Sequence, residues 1–432
     1  MRREDGKVGD MVSNKSNGID WLIKNASSAM PSDLKSANRW QVLQVFRDGQ
    51  DHTATEIAGK TGISRQTTMK AIRFFCDKGL LFSVGKGDSA GIGGKKPECF
   101  SFRCDQYLLC INIRSRLVHL TLLDMAQSRI GSVRMEIDPE MPLEDILRSA
   151  RLQSEWLLTQ HGMTVESLFG VGVSTAAIVD YKTGTLRYNR FAPHWPQSFP
   201  MAARIRELFG SDIIVYIEST GKAIGRSALI DADFCQDKRI MALYLDEGLS
   251  SCMIEYGHVL NGSQSLIGEV GRLVMTDGEG NARTVDSMVD STWLHGRIRS
   301  EADSATSPVI ELGDRATLED LFAYSGQGDP WAGRRAEELA QNVAVLIHNA
   351  AFFFNPQIVR FYGAFAKADL RFRQELFRSL RRLKFFFDEE ILQIDYDQRP
   401  TLELEALGLY TALSNSYFRR DTLYEDKDEA QA

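Results

Sequence analysis

Between Thr53 and Phe75 the apolar positions recur at three- and four-residue intervals, and Gly62 interrupts them once. Thr53-Ala54-Thr55-Glu56 has the Thr-x-x-Glu form of a capping box, which predicts a short helix starting there. Gly62 breaks that helix, and Ser64 is placed to cap a second one. On the second helix Thr68, Ala71, Ile72 and Phe75 share an inward face. Gln66, Met69, Lys70 and Arg73 point the other way. Lys78-Gly79 ends the helix, Leu80 to Val84 reads as a strand, and Glu98 to Phe102 reads as its partner. The loop between them, Gly85 to Pro97, is rich in glycine and carries Lys95 and Lys96 near its end. This layout is a winged helix-turn-helix. A phosphate-loop reading of the same glycines fails, because Lys96 stands where that motif needs Ser or Thr.

Beyond residue 105 the pattern changes to alternating strands and helices. Leu108 to Ile113 and Leu117 to Leu123 form a predicted hairpin around Arg114-Ser115-Arg116. A helix over Leu143 to Gln160 precedes a strand over Leu168 to Val173. Another strand follows over Ile213 to Ile217, with a helix from about Thr220. A second round begins with Ile240 to Tyr244 and Ser251 to Tyr256. Residues 286–327 are polar and partly helical, without a clear period. From Glu337 a long helix places Leu339, Val343, Leu346, Ala350 and Phe353 on one face. Asn355-Pro356 stops it before the strand Ile358 to Tyr362. Two such rounds predict an α/β body of two lobes with a ligand cleft between them. The expected division is a mobile extension over 1–35, the winged module over 36–104, a first lobe over 105–225 and a second over 226–432. The C-terminal helices of the last segment are expected to return to the first lobe.

Composition adds limits. At 432 residues, 43% hydrophobic and 25% charged, the chain is ordinary for a soluble protein of two or three domains. No apolar run is long enough to span a membrane, and no apolar segment follows the charged N-terminus, so a cytoplasmic protein is expected. Residues 36–104 carry 11 Lys and Arg against 6 Asp and Glu, whereas the whole chain carries 51 against 58. A basic module on an acidic chain suits contact between that module and a polyanion. The six cysteines form no disulfide framework. Cys99, Cys104 and Cys110 lack the short spacing of zinc ligands, and no metal or cofactor is expected.

The motifs in order resemble the ROK family (repressors, open reading frames and kinases), and specifically its DNA-binding regulators. The resemblance runs from about Ala37 to Phe418. It rests on the wing Gly93-Gly94-Lys95-Lys96-Pro97, on Gly170-Val171-Gly172-Val173, on Ala192-Pro193-His194-Trp195, on Gly268-Glu269-Val270-Gly271 and on Asn355-Pro356. It implies a two-lobed, actin-like (ribonuclease H-like) sugar-kinase body, assembled as a homodimer or homotetramer. Kinase chemistry needs a general base and phosphate-binding loops, and this chain departs from both. The family's Glu-Asn-Asp triplet, whose Asp is the base, reads Glu218-Ser219-Thr220. The first phosphate loop reads Asn112-Ile113-Arg114-Ser115-Arg116, and the second carries Asp246 and Glu247. The family's zinc-binding His is replaced by Arg272. These changes predict a non-enzymatic regulator. Its effector would be a carbohydrate held by His194, Glu218, Lys222, Glu269 and Arg272, and the two cations suit a sugar acid or sugar phosphate. The resemblance also implies double-stranded DNA as partner, with a pseudo-palindromic operator. Arg65, Gln66, Thr67, Met69, Lys70, Arg73, Lys95 and Lys96 are its expected contacts. A sugar kinase with a regulatory head and an effector-independent regulator are the alternatives.

Overall fold

The computed structural model describes residues 31–86, 97–189, 192–230, 235, 237–246, 248–277, 280–383 and 392–425. Most of the expected mobile extension, and both wing lysines Lys95 and Lys96, lie outside these residues. The chain forms two compact units.

The smaller unit takes the chain up to Asp105, the turn Met125–Ser128 and the segment from Ser414 onward. Its elements are α1 (Pro31–Val45), β1 (His52–Thr53), α2 (Ala54–Thr61), α3 (Arg65–Asp77), β2 (Leu81–Lys86) and β3 (Glu98–Phe102). Thr53 and Glu56 form the full capping box. The Thr53 hydroxyl accepts from the Glu56 N–H, and Glu56 accepts from the Thr53 N–H. Gly62 ends α2 at φ 71°, a left-handed conformation that suits glycine. The Ser64 hydroxyl then caps α3 by accepting from the Thr67 N–H at 3.2 Å. Thr68, Ala71, Ile72 and Phe75 are the buried face of α3. The three strands form an antiparallel sheet in the order β1–β3–β2.

The unit differs from the sequence division at both ends. α1 begins at Pro31, inside the stretch read as an extension. It buries Val42 and Leu43 and lays Arg39 3.3 Å over the Phe74 ring. The C-terminal segment from Ser414, whose helices the sequence division sends back to the first lobe, instead completes the small unit's core. Phe418 packs on Phe102, Tyr424 packs edge-on to Phe75, and Arg39 donates to the Tyr424 carbonyl at 2.6 Å. A core of this size has few apolar residues of its own, and these aromatic rings supply the missing area.

The larger unit holds two five-stranded sheets. The first contains β4 (Tyr107–Ile113), β5 (Leu117–Asp124), β6 (Arg129–Glu136), β7 (Leu168–Thr175) and β10 (Ile214–Ser219), in the order β10–β7–β4–β5–β6. A small hairpin, β8 (Ala177–Asp180) and β9 (Thr185–Asn189), branches from it. The second contains β11 (Arg239–Leu245), β12 (Leu249–Glu255), β13 (His258–Val259), β16 (Ile358–Gly363) and β17 (Gln393–Tyr396), in the order β13–β12–β11–β16–β17, with a separate antiparallel pair, β14 (Val274–Thr276) and β15 (Ala282–Thr284), between β13 and β16 in the chain. Each sheet is an antiparallel meander of three strands whose first strand pairs in parallel with a later one, and that with a last. The two rounds read from the sequence are therefore one topology used twice.

Helices α4 (Leu143–Gln160) and α5 (Met201–Phe209) cover the first sheet, with Ile146, Leu147, Leu158 and Ile205 in its core. Helix α6 (Thr220–Arg226) leaves β10 and packs on β12. A Cβ on Gly225 would lie 2.3 Å from the Cys252 Cβ, so only glycine permits this approach. The stretch without a clear period folds as four short helices, α7 (Asp286–Val289), α8 (Ser291–Glu301), α9 (Pro308–Leu312) and α10 (Leu318–Gly326). Each buries only a few side chains, too short a run for a period to show. The long helix α11 (Pro330–Phe353) starts one turn and more before Glu337, capped by Asp329. α12 (Leu370–Arg382) follows β16, and α13 (Thr401–Phe418) runs up to Leu413 along the first sheet. There Leu409 and Leu413 fill the space left by Gly170 and Gly172.

Candidate functional site

The larger unit encloses a cleft of about 170 Å³ between its two sheets. Four chain turns meet there. They are the β4–β5 turn with Arg114 and Ser115, the β11–β12 turn with Asp246 and Ser250, the start of α6 with Ser219 and Thr220, and the loop carrying Glu269 and Arg272. Strand ends at the mouth of a two-lobed α/β body are where such proteins hold ligands.

The Glu269 loop is fixed by its own glycine. Gly268 sits at φ 100°, and a Cβ there would meet the Ser251 carbonyl oxygen at 2.3 Å. This close approach sets Glu269 against the cleft. Burial raises the Glu269 carboxyl above its ordinary pKa of 4.5, although Lys222 and Arg272 pull the other way, and Asp286 adds to the rise. Arg272 lies 3.8 Å from Glu269 and over the Tyr188 ring at 5.3 Å. Thr220, buried at the head of α6, presents a hydroxyl with no hydrogen-bond partner among the described residues. The cleft thus offers a carboxyl, a guanidinium, an aromatic face and an unused hydroxyl, a set that can bind a polyol.

Of the five residues expected at an effector, Glu269 and Arg272 line this cleft and three do not. Glu218 is buried and turned into the fold, accepting from the Tyr216 hydroxyl at 2.7 Å, from Arg226 at 3.3 Å and from the Ser219 N–H at 3.1 Å. Lys222 is buried beside the Gly268 loop, where it donates to the Ser265 carbonyl at 3.2 Å and to Asn261 at 3.4 Å. His194 is exposed, 3.9 Å from Glu140 and edge-on to Trp195, and does not line the cleft. With Lys222 bonded to a carbonyl and Arg114 held between Glu405 and Asp246, the extra cationic character expected of the pocket falls to Arg272. Sequence reading passed over Arg114, Tyr188, Thr220 and Asp286 as lining residues. In the sequence Arg114 and Thr220 stand out only as departures from a kinase pattern, which is the available signal.

In the smaller unit Arg65, Gln66, Met69, Lys70 and Arg73 line one concave surface, with Ala54, Pro97, Glu98 and Phe100 at its edge. Arg65, Gln66, Lys70 and Arg73 are exposed, and the three cations have no ion-pair partner among the described residues. Thr67 stands apart from this surface, its hydroxyl 3.0 Å from that of Ser64.

A family model described as "ROK family" matches residues 110–383, more than half of the chain. The chain belongs to the ROK family. It is 19% identical to the xylose repressor of Staphylococcus xylosus over 330 residues, covering 76% of this chain and 82% of that protein. It is 23% identical to a glucokinase of Thermotoga maritima over 211 residues, covering 46% of this chain and 64% of that enzyme. A solved ROK family transcriptional regulator, described as a homologue of the E. coli MLC protein, superposes with a TM-score of 0.72 at 13% identity. The match covers 91% of this chain and 100% of that one. The body is thus the two-lobed, actin-like (ribonuclease H-like) fold of ROK proteins, and the smaller N-terminal unit falls within the part of the chain that superposes on that solved structure. The family includes both regulators and sugar kinases. No helix among the described residues is long and apolar enough to cross a membrane. No group of three or more metal-ligating side chains occurs among the described residues.

Proposed function

We propose that this ROK protein is a cytoplasmic, homodimeric DNA-binding transcriptional regulator, acting as a repressor, whose body senses a carbohydrate-like effector without phosphorylating it. The observation that carries the reading is the outward face of α3, where Arg65, Gln66, Lys70 and Arg73 stand exposed with no ion-pair partner among the described residues. Cations left unpaired on a capped helix suit a polyanionic partner, and a helix of this size fits the major groove. Gln66 can read adenine by two hydrogen bonds, Met69 can touch a thymine methyl, and Arg65 and Arg73 would meet phosphates. Two such units in a symmetric dimer call for a pseudo-palindromic operator. The xylose repressor of Staphylococcus xylosus, similar over most of its length, supports this reading.

The body supports sensing over catalysis. Thr220 has no carboxylate to deprotonate a sugar hydroxyl, and Arg114 lies in a tight ion pair where a phosphate loop would expose backbone N–H groups. The glucokinase relative makes phosphorylation the competing reading. Incubation with ATP, magnesium and a panel of hexoses decides it. No turnover above an enzyme-free blank is expected, and phosphorylation abolished by Glu269→Ala would establish a kinase.

For DNA, operator sequences are selected from a random duplex pool and titrated with the full chain. Gln66→Ala is expected to weaken selected sites by about 1–3 kcal/mol while leaving scrambled duplex nearly unchanged. Equal losses on both would mean that α3 does not read bases.

A further inference from the structure

One half-buried cation at the cleft of the larger unit is already held by carboxylates of its own chain. Arg114 leaves the β4–β5 turn of the first lobe and enters the space between the sheets. Its Nη2 donates to Glu405 Oε2 at 2.5 Å, and its Nη1 donates to the Tyr244 hydroxyl at 2.6 Å, with Asp246 Oδ2 at 3.4 Å. Glu405, on α13, is wholly buried, and its other oxygen accepts from the Ser174 hydroxyl at 2.6 Å. Ser174 in turn accepts from Asn112 Nδ2 at 2.8 Å. Tyr244 donates onward to Asp246 at 2.8 Å. One guanidinium therefore ties a turn of the first sheet to the end of β11 in the second sheet and to α13.

We propose that Arg114 is a built-in clamp that holds the two lobes at a fixed separation and so keeps the cleft formed with no nucleotide between them. Arg114, Tyr244 and Asp246 are themselves cleft walls, so the distance the clamp fixes is the width of the cleft. Parting the lobes would strip Arg114 of Tyr244 and Asp246, its two partners at the end of β11, while Glu405 on α13 stays with it beside the first sheet, so the charged group would lose part of its hydrogen bonding. The closed arrangement is favoured by that difference between the two states, as any shift of a hinge equilibrium requires. The planar fork of arginine is needed, since Glu405 and Tyr244 are reached by different nitrogens of one group. With two carboxylates around one guanidinium, the junction has no net positive charge to offer a phosphate.

Hydrogen exchange read by mass spectrometry on the full chain, with no ligand added, tests the clamp. In Arg114→Met, peptides on both cleft walls, residues 217–221 and 248–251, are expected to exchange about tenfold faster or more, the factor for a lost charge-assisted hydrogen bond. Peptides inside the sheets, residues 108–111 and 359–362, are expected to keep their rates. Tyr244→Phe removes one arm and should accelerate the same walls by a smaller factor. If Arg114→Met does not fold, Arg114→Lys and Tyr244→Phe carry the test, with the same walls accelerated and the sheets unchanged. Walls that keep their wild-type rates would overturn the clamp. So would sheets and walls that accelerate together, which would make Arg114 a general structural ion pair.

Discussion

Glu269 shows how one side chain ties burial to recognition. Its carboxyl is raised above 4.5 chiefly by burial, so the folded protein takes up a proton there more readily than the unfolded chain does. The stability from this group is accordingly greatest at low pH and is lost as the pH rises through the folded pKa. Ligand binding has the opposite sign, because a sugar hydroxyl donates to the carboxylate and a proton competes with it. For a sugar identified by thermal shift, affinity is expected to fall on acidification from a pH above the ordinary glutamate range. Glu269→Gln should flatten that dependence, and an unchanged profile in the variant would place the titrating group elsewhere. Glu269 and Arg272 were legible in the sequence through their motif. Glu218 and Lys222 misled because a residue type does not reveal whether the fold already supplies its partner. A signal existed for Glu218: Tyr216 lies two residues earlier on the same strand, and side chains two apart on a strand share a face.

At the scale of elements, the caps and glycines decide where helices begin and how closely they pack. Thr53→Ala removes one half of the capping box and is expected to destabilise the smaller unit by about 0.5–2 kcal/mol, measured by urea denaturation. Gly225→Ala should cost about 1–3 kcal/mol, since the new methyl would meet the Cys252 side chain. Gly296→Ala on α8 is the control, with nothing within 4 Å of its Cβ, and should be neutral or stabilising by up to about 1 kcal/mol. Equal losses in both alanine variants would remove close packing as the reason for Gly225. The helix-turn-helix and the first strands of each lobe were legible because caps, glycines and apolar periods coincide there. α1 was not, because its buried Val42 and Leu43 depend on distant neighbours and its own apolar pattern is weak. The stretch 286–327 hid four helices, each too short to display a period.

For the whole molecule the decisive quantity is the distribution of charge. Residues 36–104 hold 11 basic against 6 acidic side chains, while the chain as a whole holds 51 against 58. Each phosphate neutralised by a cation releases condensed counterions, so the logarithm of the DNA-binding constant should fall with the logarithm of salt by about 0.9 per contact. On the proposed DNA-binding reading, the acidic remainder would repel a duplex over roughly a Debye length, about 10 Å at 0.1 M salt, and the basic module would supply the attraction. Arg65→Ala combined with Arg73→Ala is then expected to flatten the salt slope by about two units on selected and scrambled duplex alike. Arg378→Ala combined with Arg381→Ala on α12 adds the contrast, because these arginines are also exposed but lie on the larger unit. Their loss should leave the slope unchanged. The measurement is a titration at several salt concentrations for all three proteins. A slope that responds equally to both pairs would mean that net charge alone draws DNA. A slope that responds only to the α12 pair would move the nucleic-acid surface to the body.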